Sequence, residues 1–312
     1  MGEKEEKKFG KYSVEISNRD KVFFPKSEYT KGDLIDYYEK IAEVILPHIE
    51  NRPLTMIRFP DGIDGKKFYQ KDAPDYFPDW IEKKEVENQD GTTTNYVICN
   101  NKASLVYLAN QACITPHIWL SKKDRPETPD RMIFDLDPAN EDFSKVKWAA
   151  EKLKELLQDK LELPTFLMTT GSKGLHIVVP IKREKSFDEV RNFAQKISDY
   201  LEKKYPEDLT SAIRKNKRGD KIFLDIARNA FAQTAVAPYS VRPINGAPVA
   251  TPLDWQELKK NDIHSQSYTI QNIFRRLGSK KDPWENIDDS VVSLDKAVKK
   301  FSDLHDVEED KN

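Results

Sequence analysis

The stretch RMIFDLDP, residues 131–138, is the starting point for interpreting this sequence. Apolar and acidic residues alternate along it, so Phe134 and Leu136 face one side of a strand while Asp135 and Asp137 face the other. Two residues that are two positions apart on a strand have backbones about 7 Å apart on the same face. The pattern therefore predicts a strand whose paired carboxylates converge, within a segment that is otherwise apolar.

A second acidic strand is predicted at KIFLDIA, residues 221–227, where Asp225 lies among apolar neighbours. Three carboxylates favour hard cations such as Mg²⁺, which take oxygen ligands and keep room for substrate phosphates. Two such ions, about 3.5–4 Å apart, can serve the attacking and the leaving oxygen of a phosphoryl transfer. We therefore predict metal ligands at Asp135, Asp137 and Asp225. The simpler interpretation is that D-x-D marks a solvated strand face or a turn.

A turn with two glycines, TTGSKGLH at residues 169–176, is predicted between two further strands. Backbone N–H groups of such a turn can point at an anion. Ser172 adds a hydroxyl and Lys173 a cation, and His176 faces the same side as the acids. The order of residues differs from the phosphate-binding loop G-x-x-x-x-G-K-S/T. An ordinary hairpin turn with a structural histidine is the simpler alternative.

Two arginines lie in FLDIARNAFAQTAVAPYSVRP, residues 223–243. Arg228 follows Asp225 by three positions, and Arg242 lies near the end of the stretch. Guanidinium groups match phosphate oxygens with paired donors, although arginines also form ordinary surface ion pairs. We predict phosphate contacts at both positions.

Basic and aromatic residues in the first third of the chain suggest a nucleic-acid surface. The basic residues Lys21, Lys26 and Lys31 could follow a phosphate backbone, while Phe68 and Tyr69 could stack on bases. The net charge of −2 argues against nucleic-acid binding by the chain as a whole. The segment RKNKRGDK, residues 214–221, nevertheless carries five cations.

Composition excludes several classes of protein. With 33% charged residues and a mean hydropathy of −0.73, the chain has no apolar run near the roughly 20 residues that cross a bilayer. The N-terminal sequence MGEKEEKKFGKY is unlike a secretory signal. Cys99 and Cys113 are too few for a disulfide scaffold or a cysteine zinc site. We expect a cytoplasmic protein that does not bind membranes.

Strands that alternate with helices predict an α/β (α+β) fold. The first helix should start with Thr30 as its cap and Asp33 as the reciprocal partner, and it should end at Pro47. Residues 1–12, rich in Lys and Glu, are predicted to be a flexible leader. The remaining expected segments are an N-terminal lobe at about 13–125, a metal-binding core at about 126–255, a helical part at about 256–280 and an acidic helical or flexible tail at 281–312.

These stretches, in order, resemble the polymerase domain of bacterial ligase D and its stand-alone archaeal relatives, members of the archaeo-eukaryotic primase superfamily that serve in non-homologous end joining. The similarity runs from Ser13 to Leu277. It includes NRDKVFFP, TKGDLIDYYEKIA, RPLTMIRFPDGIDGKKFYQK, PHIWLS, PDRMIFDLDP, TTGSKGLHIVVP, FLDIARN and QTAVAPYSVRP. It implies a primase-like catalytic core, residues 13–280, with a central mixed or antiparallel sheet flanked by helices, and an N-terminal lobe.

The resemblance implies a template-dependent polymerase that adds nucleotides to a primer 3′ end at a DNA break or gap. A preference for ribonucleotides over deoxyribonucleotides, and two divalent ions (Mn²⁺ or Mg²⁺), are expected from the family. It assigns the metals to the three aspartates. The incoming triphosphate is assigned to Thr170, Ser172, Lys173, Gly174, His176, Arg228, Arg242 and Arg58, with Phe68 or Tyr69 stacking on the base or sugar.

The resemblance also assigns a downstream 5′-phosphate to Lys21 and Lys31, with Lys26 nearby, and places His117 near the active centre. This chain departs from the family at Ile118, where H-P-W is frequent, and has Ile57 before Arg58 where many relatives have a second basic residue.

The chain has neither a ligase motif nor room for a ligase domain, so the expected partners are DNA ends, a separate DNA ligase and the end-binding protein Ku. Two other classes stay open on the residues alone. A metal-dependent nuclease or phosphohydrolase would also use an acidic cluster. A non-catalytic DNA-end binding module would be expected to have lost carboxylates, and all three are present.

Overall fold

The computed structural model describes residues 4–88, 90–140 and 142–309, with side chains described up to residue 304. The first three residues of the expected leader and the last three of the expected tail lie outside these ranges. The strands are β1 (Lys4–Phe9), β2 (Tyr12–Ser17), β3 (Val22–Phe24), β4 (Tyr29–Thr30), β5 (Pro53–Arg58), β6 (Phe68–Gln70), β7 (Lys83–Glu87), β8 (Thr93–Ile98), β9 (Cys113–Trp119), β10 (Arg131–Asp137), β11 (Phe166–Thr169), β12 (Leu175–Pro180), β13 (Leu209–Thr210), β14 (Ile222–Asp225), β15 (Thr234–Val236) and β16 (Thr251–Leu253). The helices are α1 (Lys31–Ile49), α2 (Lys102–Asn110), α3 (Phe143–Lys154), α4 (Phe187–Lys204), α5 (Trp255–Leu258), α6 (Ile273–Ser279) and α7 (Asp295–Glu309).

The chain divides into two compact units, and the mixed α/β prediction is confirmed in both. The first unit contains the chain up to Pro126 together with Thr234–Thr251 and Gln266–Lys281. Its sheet has the order β15-β9-β5-β8-β7, with β6 also paired to β5. The pairs along β5 and β9 are antiparallel. Helices α1 and α2 pack against each other, and their buried faces contribute to the apolar core of this unit.

The second unit contains Glu127–Gln233, Pro252–Ser265 and Asp282 onward. Its sheet has the order β13-β14-β10-β12-β11-β16. Strand β10 is central, antiparallel to β14 on one side and to β12 on the other. Helices α3 and α4 both pack on β10, which is buried from Arg131 to Leu136. The alternating apolar and acidic residues of RMIFDLD therefore belong to a central strand of the sheet.

The start of the chain differs from the predicted flexible leader. Strand β1 pairs along its whole length with β2, from Lys4 opposite Ser17 to Phe9 opposite Tyr12. The charged side chains of β1 stay largely exposed while its backbone forms the ladder, and Val14 and Ile16 of β2 are buried in the core. Lys/Glu composition was therefore a poor guide here, because strand pairing needs the backbone and only one buried face.

The first helix begins as predicted and ends later than predicted. Thr30 caps α1 and exchanges hydrogen bonds with Asp33 in a complete capping box. Pro47 lies inside the helix, which continues to Ile49, so the prediction that Pro47 ends it is wrong. Proline removes one N–H donor without preventing two further residues from keeping helical geometry, and the N–H of Glu50 still bonds to the carbonyl of Leu46.

The C-terminal third is divided differently from the expected boundaries. Residues 234–251 lie in the first unit although the core was expected to extend to about 255, and the expected helical part at about 256–280 is split between the two units. Within that part, only α5 and α6 are helical. No helix in the described ranges is long and apolar enough to span a membrane.

The expected tail contains a packed helix, α7. Leu294, Ala297 and Phe301 are buried, and the Phe301 ring lies 5.9 Å from Phe193 and 5.8 Å from Tyr200, both on α4. Two lysines of the same helix bond to the Glu162 carboxylate. The helix is thus part of the core of the second unit.

Removing the Phe301 ring should destabilise the protein. We expect Phe301→Ala to lower the free energy of unfolding by about 3 kcal/mol, because it leaves a cavity between α7 and α4. Val298→Ala, on the same helix but 40% exposed, is the matched control and should change it little. Urea denaturation measures both, and equal stability of the two variants would show that α7 contributes little to the core.

Candidate active site

The three predicted metal ligands meet at the centre of the second unit's sheet. Asp135 of β10 lies directly opposite Asp225 of β14, and Asp137 follows on the same face of β10. One carboxylate oxygen from each of the three lies within 4.8 Å of the other two. Asp135 is only 5% exposed, whereas Asp137 and Asp225 are partly open. The register of two strands therefore brings together residues about ninety positions apart in the sequence.

Two cationic or hydrogen-bonding groups flank Asp135. On the other side of β10, His176 of β12 is its cross-strand partner, and the His176 Nε2 atom lies 3.3 Å from an Asp135 carboxylate oxygen. The Nε atom of Arg228 lies 3.8 Å from the same oxygen. The prediction that His176 faces the acids is confirmed. Both contacts offset part of the negative charge of the cluster.

The ionised form of Asp137 is disfavoured by its burial and by the neighbouring acids. Burial, followed by the negative charge of Asp135, raises the pKa of the Asp137 carboxyl to about 6, although His176 and Arg228 act in the opposite direction. A cation among the three carboxylates would remove this repulsion, and the donor set is entirely oxygen, which suits Mg²⁺ or Mn²⁺. The residues present therefore fit divalent ions, held by Asp135, Asp137 and Asp225.

The turn TTGSKG, residues 169–174, is held tightly against β10. The Thr170 hydroxyl oxygen accepts hydrogen bonds from the backbone N–H groups of Ser172, at 3.3 Å, and Gly174, at 3.2 Å. A Cβ atom at Gly174 would lie 2.0 Å from the carbonyl oxygen of Leu136, so only glycine fits. Ser172 is partly exposed and Lys173 is exposed. The turn thus leaves its polar side chains beside the end of the strand that carries the acids.

Asn229 is a buried residue that the sequence analysis missed. Its side-chain oxygen accepts from the N–H of Ile133, and its amide group donates to the carbonyls of Ile133 and Ile226. It therefore continues the hydrogen bonding of β10 beyond the end of β14 and fixes the short 3₁₀ turn Ala227–Asn229 that carries Arg228. An asparagine next to an arginine inside an apolar stretch was the available signal.

The remaining predicted site residues lie in the first unit, where Arg58 is heavily engaged. Its guanidinium donates to the backbone and side chain of Gln111, to Gln70 at 2.6 Å and to the Tyr76 hydroxyl at 2.9 Å. It also lies 5.3 Å from the centre of the Phe68 ring. These contacts hold the β5–β6 segment together, and a role for Arg58 in binding a nucleotide stays a prediction.

The two predicted stacking residues are exposed on β6, Phe68 by 40% and Tyr69 by 61%. Exposed rings are available for stacking, unlike most large aromatic residues in a folded chain. His117 lies on β9 with Thr55 and Val236 as its cross-strand neighbours. Arg242 bonds through its backbone N–H to Pro248. Roles for these four residues at the active centre stay predictions.

Two of the three predicted 5′-phosphate lysines are adjacent. The backbone N–H of Lys31 donates to the carbonyl of Lys21 at 2.8 Å. The Lys21 ammonium pairs with Asp61 at 2.6 Å, whereas the buried Lys31 donates to the carbonyl of Ser17. Burial, reinforced by the positive charge of Lys21, lowers the pKa of Lys31 from 10.5 to about 8. Lys26 is exposed, and only its backbone contact with Asn245 is described.

The fold and the acidic site define a polymerase-type domain, and comparisons with known proteins agree. A structure described as the polymerase domain from Mycobacterium tuberculosis ligase D in complex with DNA superposes with a TM-score of 0.82 and 33% identity. The match covers 88% of this chain and 98% of that one. The family model of the LigD primase-polymerase domain matches residues 30–284. The chain belongs to the LigD primase-polymerase domain family, which confirms the resemblance found in the sequence.

Longer relatives show the same similarity. The multifunctional non-homologous end joining protein LigD of Mycolicibacterium smegmatis is 34% identical over 80% of this chain, and the bifunctional non-homologous end joining protein LigD of Bacillus subtilis is 31% identical over 85%. The matched regions are only 33% and 42% of those proteins. The chain thus spans less than half the length of these two relatives.

Neutralising Asp137 should stabilise the protein when no metal is bound. We expect Asp137→Asn to raise the melting temperature at pH 7 in EDTA by at least about 2 °C, or roughly 1 kcal/mol for a chain of this size. The folded pKa of Asp137 is raised, so its carboxyl stabilises the fold fully below pH about 4, and this contribution is lost as the pH rises through about 6. The advantage of the variant should therefore vanish near pH 4.

The exposed residue Asp220 provides the matched control for this measurement. Asp220→Asn should leave the melting temperature nearly unchanged from pH 4 to pH 8. A variant Asp137→Asn that is no more stable than the wild type at pH 7 would contradict the unfavourable burial and repulsion inferred for the Asp137 carboxylate.

Proposed function

We propose that this chain is a template-dependent nucleotidyltransferase that adds nucleotides, with a preference for ribonucleotides, to 3′ ends at DNA breaks or gaps during non-homologous end joining. The observation that carries the proposal is the meeting of Asp135, Asp137 and Asp225 beside the turn 169–174 and His176. The names of the longer relatives, which refer to non-homologous end joining, support the biological setting.

The proposed reaction is attack of a primer 3′-hydroxyl on the α-phosphate of a bound nucleotide. The three aspartates would hold two divalent ions, Mn²⁺ or Mg²⁺, which when bound would supply positive charge beside the reacting oxygens. Ser172 and Lys173 have the hydroxyl and the cation that suit a triphosphate, and both are solvent-accessible. Arg228 and His176 flank the acids and can orient phosphate oxygens next to them. No protein side chain is needed as a general base in this scheme.

A triphosphate site is the feature that favours transfer over hydrolysis. A nuclease needs acids and metal ions, but it has no need of a rigid turn that presents a hydroxyl and a lysine beside them. The turn is held by Thr170 and confined by the contact of Gly174 with Leu136, so its geometry is set before any ligand binds. Such preorganisation lowers the ordering cost of binding a flexible polyphosphate.

The proposed nucleic-acid substrate is a primer–template with a downstream 5′-phosphate. Lys21 and Lys31 are adjacent cations that suit a phosphate monoester, and the exposed rings Phe68 and Tyr69 suit base stacking. The solved relative in complex with DNA supports a DNA substrate. A separate DNA ligase and an end-binding protein of the Ku type are the proposed partners. The proposed location is the cytoplasm, where a bacterial or archaeal chromosome lies.

The primary test is extension of a labelled primer on a gapped, 5′-phosphorylated duplex, with Mn²⁺ and either rNTPs or dNTPs. We expect extension by the wild type that is faster with rNTPs. Asp135→Asn should reduce it by a factor of at least about 10³, because several kcal/mol of charge stabilisation are lost. Asp220→Asn is the control, with circular dichroism as the check of folding. Shortened primers would support a nuclease, and DNA binding without any reaction would support an end-binding module.

The preference for a 5′-phosphate should depend on the protonation of Lys31. Because its pKa is about 8, Lys31 is charged at pH 7 and largely neutral at pH 9, whereas the phosphate stays ionised over this range. We expect the ratio of extension rates on gaps with and without the 5′-phosphate to fall as the pH rises from 7 to 9. Lys31→Arg keeps its charge and should flatten this dependence. The same decline in the arginine variant would rule out Lys31 as its source.

A further inference from the structure

Ser265 is a buried residue that contacts the turn 169–174 from a distant part of the sequence. Only 4% of the residue's surface is exposed. The Ser265 hydroxyl donates to the carbonyl of Gly174 at 3.0 Å and lies 3.2 Å from the Thr170 hydroxyl oxygen. The residue is 95 positions from Thr170, in the segment Pro252–Ser265 of the same compact unit.

In one arrangement the Thr170 hydroxyl uses its whole hydrogen-bonding capacity, and the Ser265 hydroxyl uses its hydrogen and one of its two lone pairs. A hydroxyl has one hydrogen to donate and two lone pairs to accept. Thr170 accepts from the N–H groups of Ser172 and Gly174, which uses both lone pairs, and its single hydrogen can then point to Ser265. Ser265 accepts that hydrogen and donates its own to the carbonyl of Gly174. The chain of bonds starts and ends on the backbone of the turn.

This arrangement ties the two ends of the turn to a third segment. Without Ser265, the acceptor that remains for the Thr170 hydrogen among the described residues is the carbonyl of Gly174, at 3.2 Å, within the turn itself. The turn would then be held by its own bonds and by the contact of Gly174 with β10. Thr170 would lose its side-chain link to Ser265, while β11, which leads into the turn, would stay paired with β16. The positions of Ser172 and Lys173 would then be less restricted.

We propose that Ser265 is a positioning residue that fixes the turn 169–174 in the form that receives the phosphates of a nucleoside triphosphate. It acts through Thr170 and Gly174 and does not itself touch the ligand. The ligand part of the inference rests on the proposed function, whereas the ordering of the turn does not. Two measurements therefore separate them.

The first measurement is amide hydrogen exchange, followed by mass spectrometry, of the full chain without nucleotide. Ser265→Ala should speed exchange of peptides that contain the amides of Ser172 and Gly174, by about two- to tenfold, the effect of losing one hydrogen bond. Ser198→Ala is the matched control. Ser198 is a fully buried serine on α4, and its hydroxyl has no hydrogen-bond partner among the described residues. It should leave exchange at the turn unchanged.

The second measurement is binding of ATP with Mg²⁺, by calorimetry, together with steady-state kinetics. Ser265→Ala should raise the Kd for ATP by about two- to tenfold. It should raise the KM for ATP similarly and change kcat less than about twofold. Thr170→Val should weaken binding further, and the double variant should bind no worse than Thr170→Val alone, because both act through one chain of bonds.

The possible outcomes are distinct. Faster exchange at the turn together with weaker ATP binding supports the proposal. Unchanged exchange in Ser265→Ala overturns it, and so do fully additive effects of Ser265→Ala and Thr170→Val on ATP binding. If Ser265→Ala speeds exchange at the turn but the wild type itself binds no ATP, the role of Ser265 in ordering the turn is kept and the triphosphate ligand is rejected. That result would be a failure of the proposed function alone. A lower melting temperature with normal exchange and binding would reduce Ser265 to a packing role.

Discussion

The register of β10 between β14 and β12 is the constraint on which the candidate site depends. It places Asp135 opposite Asp225 on one side and opposite His176 on the other, so like charges accumulate in a nearly buried position. A shift of one residue in either pairing would turn the acids to the other face of the sheet and dismantle the cluster. The apolar residues that alternate with the acids, such as Phe134 and Leu136, resist that shift because they are fully buried.

Burying three carboxylates close together destabilises the fold, and the neighbouring basic side chains offset only part of this effect. His176 and Arg228 contact Asp135, yet Asp137 retains a raised pKa because burial and repulsion outweigh them. A structural role for these acids would be better served by neutral residues. Carboxylates held together against their own repulsion are the arrangement expected of a site that recruits cations.

Irregular segments around the cluster are fixed by side chains that replace backbone partners. Asn229 supplies both a donor and an acceptor to Ile133 where β14 has ended. The Thr170 hydroxyl accepts hydrogen bonds from two N–H groups of the turn, and glycine at position 174 allows the turn to approach β10. In the first unit, Arg58 uses its donors on Gln70, Tyr76 and Gln111 beside the exposed ring of Phe68. The polar residues of these segments are therefore of two kinds. Some are exposed and can contact a ligand, and others use their hydrogen bonds to fix the segments that carry the exposed ones.

Local pattern in the sequence was sufficient for several features. Alternation in RMIFDLD predicted the acidic face of β10, the Thr30 and Asp33 pair predicted the start of α1, and the order of motifs predicted the family. These features depend on neighbours within a few positions, or on the sequence itself. Composition was less reliable, because the charged residues of β1 pair through their backbone. One local signal also failed, because α1 continues past Pro47 to Ile49.

Other features were decided only by the tertiary structure. The return of residues 234–251 to the first unit, the packing of α7 on α4, and the contacts of Ser265 and Asn229 join positions that are far apart in the chain. The sequence marks Arg58 as a cation, but the partners that occupy its guanidinium come from three separate places. The physical reason is that a hydrogen bond or a buried contact needs two groups in one place, and the sequence specifies each group without specifying which distant group it meets.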